Sequence, residues 1–266
     1  MATGIVSKLV LVLIVSATSL AAVLFFNQER LIFHPERLPA DHAFDFPVPF
    51  EEVFLTSDSV RIHSLLFTRP DPKGVILYFH GNAGSLRSWG GLHTDFDTLP
   101  YDLWILDYRG FGKSEGSVSG EASLHADARA LLTAAKARYP GLPMVFYGRS
   151  IGTGVASRLA LEHEPRMLIL ETPYVSFPDL VEQIAPWAPT PLLRYRLEND
   201  AHIRDVRFPV HLFHGDRDEL IPVSSTVRLA QLGDHIQRHI IVGARHNTVP
   251  AFAEYHRILG QLLGDP

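Results

Sequence analysis

Short, nearly unbroken apolar runs recur along the chain: Gly74–Phe79, Leu103–Leu106, Met144–Tyr147, Met167–Leu170, Val210–Phe213 and His239–Val242. Runs of this length without alternation predict strands covered on both faces. Ahead of them, Glu51–Thr56 and Val60–Thr68 alternate or carry β-branched residues around Ser57-Asp58-Ser59, which predicts a hairpin. Between the runs the apolar spacing becomes that of a helix. Over 119–139, with Ser119 as candidate N-cap, Leu124, Ala128, Leu131, Leu132 and Ala135 form one stripe. The segment after Ser150 carries Gly152, Gly154, Ala156 and Ala160, small residues suited to a helix pressed on a sheet. Further helices are predicted over Val223–Leu232 and Thr248–Leu263. Strands alternating with helices predict an α/β protein: a mainly parallel sheet, helices on both faces, and ligands at the strands' carboxyl ends.

Two stretches break this alternation. From Pro173 to about Phe208 there is no strong strand signal, and Pro173, Pro178, Pro186, Pro189 and Pro191 fall close together. Residues 173–208 are therefore expected to form a small cap inserted into a domain of 51–266. Residues 28–50 read as a connector, because Pro35, Pro39, Pro47 and Pro49 act against regular structure. The amino terminus is different again. From Ile5 to Phe26 only Ser7, Lys8, Ser16, Thr18 and Ser19 interrupt apolar residues. The charge-free run after Lys8 is about 18 residues, or about 27 Å as a helix, close to a bilayer core. Residues 1–27 are thus expected to be a single-pass transmembrane anchor. The alternative is a signal peptide cut near Ala21 or Ala22, which would leave a secreted or periplasmic protein. Val23-Leu24-Phe25-Phe26 continues the apolar run past that cut and favours the anchor.

Composition narrows the function. At 266 residues and 46% hydrophobic, the chain can bury one large core. A net charge of −5 with no Lys/Arg block excludes a nucleic-acid partner, which needs a concentrated basic surface. The absence of cysteine excludes disulfides, thiolate metal sites and a Cys nucleophile. The His, Asp and Glu positions show no HExxH or other compact ligand spacing, so no metal or cofactor is expected.

Chemistry concentrates where strands end. Residues 146–152 read FYGRSIG, a strand running into Gly148-Arg149-Ser150-Ile151-Gly152 and then a helix. A serine between glycines at a strand-to-helix bend has the form of a nucleophile elbow, and the Ile151 N–H would face a developing oxyanion. A hydroxyl needs a base, and the base needs an orienting carboxylate; in this architecture they follow in the order Ser, acid, His. After the run ending at Phe213, Asp216, Asp218 and Glu219 all compete for the acid, while aspartates in such a loop also serve turn chemistry. His246, in Gly243-Ala244-Arg245-His246-Asn247 after the last strand, is the candidate base. His235 and His239 precede or occupy that strand. The loop His80-Gly81-Asn82-Ala83-Gly84 is placed to supply a second oxyanion donor, Asn82 or Ala83.

The segments YFHGNAGS, LDYRGFGKSEG, FYGRSIG, LFHGDRDELIP and GARHN, in this order along the chain, resemble the α/β-hydrolase superfamily. More narrowly, with QERLIFHPE after the apolar amino terminus, they resemble the BEM46-like group of membrane-anchored serine hydrolases, including the ABHD13 and ABHD17 types. The resemblance implies an α/β-hydrolase fold and places the acid on Asp218, with Asp216 as second choice. It assigns Asp107–Gly116 a shaping role beside the site. Arg245 departs from the commonest base loop and would add positive charge near the pocket. The expected activity is hydrolysis of an ester or thioester of a lipophilic acyl group through Ser150, His246 and Asp218, with Ile151 and Asn82 as oxyanion donors. Protein depalmitoylation, with an acylated protein as substrate, or peptidase action is the alternative within that chemistry. A catalytically silent membrane-tethered scaffold is the alternative outside it.

Overall fold

The apolar runs form the centre of an eight-stranded sheet. The computed structural model describes residues 2–264, with the side chains of residues 2–7, 10, 13, 14, 17 and 20 outside the description. In chain order the first elements are α1 (Ala2–Phe26), α2 (Gln28–Ile32), β1 (His34–Pro35), β2 (Phe50–Ser57), β3 (Val60–Phe67), β4 (Val75–Phe79) and β5 (Ala83–Gly84). There follow α3 (Leu86–Trp89), β6 (Asp102–Leu106), α4 (Glu121–Arg138), β7 (Met144–Arg149), α5 (Gly152–His163) and β8 (Met167–Glu171). The last are α6 (Phe177–Ile184), α7 (Asn199–Ile203), β9 (Val210–Gly215), α8 (Ser224–Ala230), β10 (Ile236–Ile241) and α9 (Ala253–Leu263).

The sheet order is β10-β9-β8-β7-β4-β6-β3-β2. Only the β2–β3 and β3–β6 pairings are antiparallel, so the predicted hairpin forms one edge and the apolar runs form the parallel body. One apolar cluster lies on each face of the sheet. The first contains the predicted stripe of α4 (Leu124, Ala128, Leu131, Leu132 and Ala135) together with Val155, Ala156 and Leu159 of α5. The second gathers Tyr255, Ile258 and Leu259 of α9.

Several boundaries differ from expectation for local reasons. α4 starts behind Gly120, whose φ of +141° turns the chain, and Ser119 is not its cap. β10 starts at Ile236 because it pairs with β9 from Ile236↔Val210 onward. As an edge strand it exposes Gln237 and Arg238, which hid its beginning from an apolar-run criterion. The stretch before α9 opens with a separate 3₁₀ turn, Val249–Ala251, around Pro250.

The amino-terminal expectations need the larger corrections. Among the described residues no helix is long and apolar enough to cross a membrane, so the anchor expected at 1–27 is unsupported. Many of the side chains in that apolar run lie outside the described residues. The end of α1 has a different role: Ala21, Leu24 and Phe25 line a cavity in the protein. The connector is more regular than its prolines suggest. It contains α2 and the two-residue β1, which pairs in parallel with β5 through His34↔Ala83 and Pro35↔Gly84. The stretch 173–208 falls between β8 and β9 and carries α6, with Ser176 at its N-cap, and α7.

Candidate active site

Ser150 sits at the end of β7, in the bend before α5, with a φ of +54°. This left-handed backbone is uncommon for a residue with a side chain and is held by its surroundings. The Ser150 N–H donates to the Glu171 carbonyl at the end of β8 (2.9 Å), and the Ser150 carbonyl accepts from the Thr153 N–H (3.0 Å) and hydroxyl (2.7 Å). The two flanking glycines are steric requirements. A β-carbon at Gly148 would lie 2.5 Å from the Gly152 carbonyl oxygen, and one at Gly152 would lie 2.1 Å from that of Phe79. The bend therefore closes against the end of β4 as well as on itself.

His246 reaches Ser150 from the loop after β10. Its Nε2 lies 3.1 Å from Ser150 Oγ, and its Nδ1 lies 2.8 Å from Asp218 Oδ2. An ionised carboxylate only accepts, so Nδ1 carries the proton and Nε2 is left to accept from the serine hydroxyl. Asp218, in the loop after β9, is surrounded by donors. Its Oδ1 accepts from the Leu220 and Ile221 N–H groups (2.9 and 2.8 Å), and its Oδ2 also lies 3.2 Å from His214 Nε2. Burial alone would raise the Asp218 pKa, but the hydrogen bonds from His214 and His246 outweigh it and hold the carboxyl well below its ordinary value. Asp216, two residues earlier, faces away: it accepts from the Gly243 N–H (2.6 Å) and shapes the loop. Glu219 is in reach of the His246 main-chain N–H (3.5 Å) rather than of its ring.

The loop carrying Asn82 lies across from Ser150. Gly81, Asn82 and Ala83 line the same cavity as Ser150, Ile151 and His246. The Asn82 carbonyl accepts from His34 N–H (2.8 Å), and its side chain donates to the Ile32 carbonyl (2.8 Å), so the connector holds this loop in place. The segment Asp107–Gly116 supports it from below. Asp107 accepts from the Leu86 N–H at the start of α3 (3.1 and 3.2 Å), and Tyr108 Oη donates to the His80 carbonyl (3.2 Å).

Two residues near the site were not singled out in the sequence. His214 is fully buried behind Asp218. Its Nε2 donates to the Ile221 carbonyl (2.9 Å) and its Nδ1 accepts from the Thr226 hydroxyl (2.7 Å), which fixes the proton on the nitrogen facing Asp218. Arg149 is the cation at the cavity, whereas Arg245 is exposed and does not line it. Arg149 pairs with buried Glu171 (3.1 Å), lies over the Trp89 ring (5.3 Å) and donates to Asn247 Oδ1 beside the base (3.2 Å). Burial works against its charge, but Glu171 prevails and raises the Arg149 pKa above its ordinary value. The only sequence signal for Arg149 was its place inside the elbow; nothing local marks His214.

The cavity holds about 520 Å³ and is walled mainly by apolar side chains from α1, α2, the 173–208 cap and the loops around Ser150. No carboxylate is among its lining residues, and among the described residues no group of three or more His, Asp or Glu could hold a metal. Such a site can present a hydroxyl, a proton acceptor and main-chain donors to an apolar substrate.

Comparisons with known proteins bear on the family and the fold. A family model described as serine aminopeptidase, S33, matches residues 70–200. Protein bem46 of Schizosaccharomyces pombe is 27% identical over 272 residues, covering 94% of this chain and 90% of that protein. The human α/β hydrolase domain-containing protein 17B is 30% identical over 222 residues, 78% of this chain and 73% of its own length. Among solved structures, an esterase from Pyrococcus furiosus superposes with a TM-score of 0.70 at 18% identity, covering 87% of this chain and 97% of that one. An α/β serine hydrolase homologue from Coxiella burnetii gives 0.63 at 17% identity, covering 84% of this chain and 100% of that one.

Proposed function

Because the chain belongs to the α/β-hydrolases of the bem46 and 17B type, we propose that it is a serine esterase acting on apolar acyl esters. The observation that carries this reading is the relay Ser150 Oγ, His246 Nε2, His246 Nδ1, Asp218 Oδ2, with spacings of 3.1 and 2.8 Å, at the wall of an apolar cavity. Ser150 attacks the ester carbonyl while His246 takes its proton, and Asp218 stabilises the imidazolium that results. The N–H groups of Ile151 and Asn82 receive the oxyanion. His246 returns the proton to the departing alcohol, leaving Ser150 acylated. Water, deprotonated by the same histidine, then releases the acid. Thioesters are open to the same sequence of steps.

The matched family description favours a second reading, aminopeptidase action. An aminopeptidase must hold the free α-amine of its substrate, and a carboxylate in the site is the direct way to do so. The cavity lining offers Arg149 and no acid, which supports the ester reading.

A fluorophosphonate probe tests the proposal. Wild-type protein is expected to be labelled and Ser150→Ala unlabelled, with p-nitrophenyl ester hydrolysis lost in parallel. Folded wild-type protein that takes no label, or Ser150→Ala that is labelled equally, would leave a silent scaffold as the better account.

A further inference from the structure

The cavity beside Ser150 is closed by a part of the chain that lies outside the α/β core. Ala21, Leu24 and Phe25 of α1, with Leu31 and Ile32 of α2, form one wall of it. Val181, Ile184 and Leu193 of the cap form another. We propose that the two amino-terminal helices are the specificity wall of the acyl pocket, and that Leu24 and Phe25 set the acyl-chain length it accepts. The inference rests on the esterase reading of Ser150.

The wall is built, not incidental. Gln28 is buried, donates through Nε2 to the Leu192 carbonyl (2.9 Å) and accepts through Oε1 from the Arg194 N–H (2.9 Å). Glu29 accepts from the Tyr195 hydroxyl (2.8 Å) and pairs with the Arg194 guanidinium. That guanidinium also lies 5.4 Å above the Phe25 ring, so one cap residue holds both helices. At its other end α2 is tied to the loop facing Ser150, through Asn82 Nδ2 and the Ile32 carbonyl (2.8 Å). The same short helix thus fastens the cap on one side and the proposed oxyanion loop on the other.

Direction follows from this attachment. Ile32 adjoins the Ser150 end of the cavity. Phe25 precedes it by seven residues, across the break at Asn27 that separates α1 from α2, and lines the same cavity. An acyl chain bound to Ser150 and running along α2 meets Leu24 and Phe25 at its far end. The described residues of α1 belong to neither core cluster, so changes at the wall act on the cavity more than on the fold.

The experiment uses the full chain and compares kcat/KM for p-nitrophenyl acetate, dodecanoate and hexadecanoate. One methylene in an apolar pocket changes discrimination by about 10–200-fold. Phe25→Trp, which shortens the cavity, is expected to lower the dodecanoate-to-acetate ratio by about tenfold or more. Phe25→Ala, which lengthens it, is expected to raise the hexadecanoate-to-acetate ratio. Ratios equal to wild type in both variants would overturn the inference while leaving the esterase reading in place. If wild-type protein hydrolyses none of the esters and Ser150 takes no fluorophosphonate, the esterase reading fails first and this inference falls with it.

Discussion

Replacing Asp218 by Asn removes a charge and also reverses one hydrogen-bond polarity, and the structure says which. All four groups around the carboxylate are donors: the Leu220 and Ile221 N–H groups on Oδ1, and His246 Nδ1 and His214 Nε2 on Oδ2. An asparagine has one acceptor atom to offer. The two main-chain donors cannot reverse, so the amide oxygen stays with them and the NH₂ group turns toward the histidines. His214 Nε2 also donates to the Ile221 carbonyl, which cannot itself donate, so this ring keeps its proton there. His246 therefore adapts, presenting a bare Nδ1 and moving its proton to Nε2. That nitrogen then points an N–H at Ser150 Oγ and cannot take the serine proton. Loss of the correct tautomer costs about 10⁴ in kcat in a comparable triad, which is about 5.5 kcal/mol at 1.36 kcal/mol per tenfold. Asp216→Asn keeps an acceptor for the Gly243 N–H and should change kcat by less than about threefold, in the range of small loop effects. Steady-state hydrolysis of p-nitrophenyl acetate at pH 8 measures both. Retention of more than a tenth of the activity in Asp218→Asn, or an equal loss in Asp216→Asn, would refute this assignment of the acid.

Two further outcomes follow from the same contacts. Gly152→Ala would place a methyl 2.1 Å from the Phe79 carbonyl oxygen and 2.6 Å from that of His80. Both neighbours are backbone, so overpacking should cost about 3 kcal/mol or more, seen as a lower urea midpoint together with reduced Ser150 labelling. The Asp95 carboxyl is pushed up to about 6, by burial first and by the charge of Glu171 second. A carboxyl raised in the folded state costs stability once it ionises: the cost is absent below about pH 4, grows between 4 and 6 and is complete above. Asp95→Asn is therefore expected to stabilise the protein at pH 8 by about 1–2 kcal/mol, after discounting a two-unit shift for solvent screening. Denaturation curves at pH 8 and pH 4 should show that gain at the first and none at the second; equal gains at both would refute the electrostatic cause.

The parts of the fold that were legible in the chain are those set by neighbours in sequence. Val75–Phe79 or Met167–Glu171 reads as a covered strand because every side chain must leave water, whichever elements do the covering. The strand edges were less legible. Near its start β10 carries a solvent-exposed pair, Gln237 and Arg238, that only hydrogen bonding to β9 makes part of a strand. At the site, Gly148 and Gly152 announced the bend around Ser150, since a tight turn removes β-carbons locally. His246 could be placed by order along the chain. The choice between Asp218 and Asp216 could not be read from the residues alone, because both sit in one turn and only the partner each carboxylate meets separates them.

The amino-acid sequence by itself determined the alternation of strands and helices, the elbow at Ser150 and the chain order of the three relay residues. These depend on local spacing, which hydrophobic periodicity and turn sterics record directly. Tertiary structure alone decided that His214 backs Asp218, that Arg149 rather than Arg245 stands at the cavity, and that α1 and α2 close it against the cap. Each of these is a contact between segments that chain order does not bring together, and its free energy exists only once the sheet has set their positions.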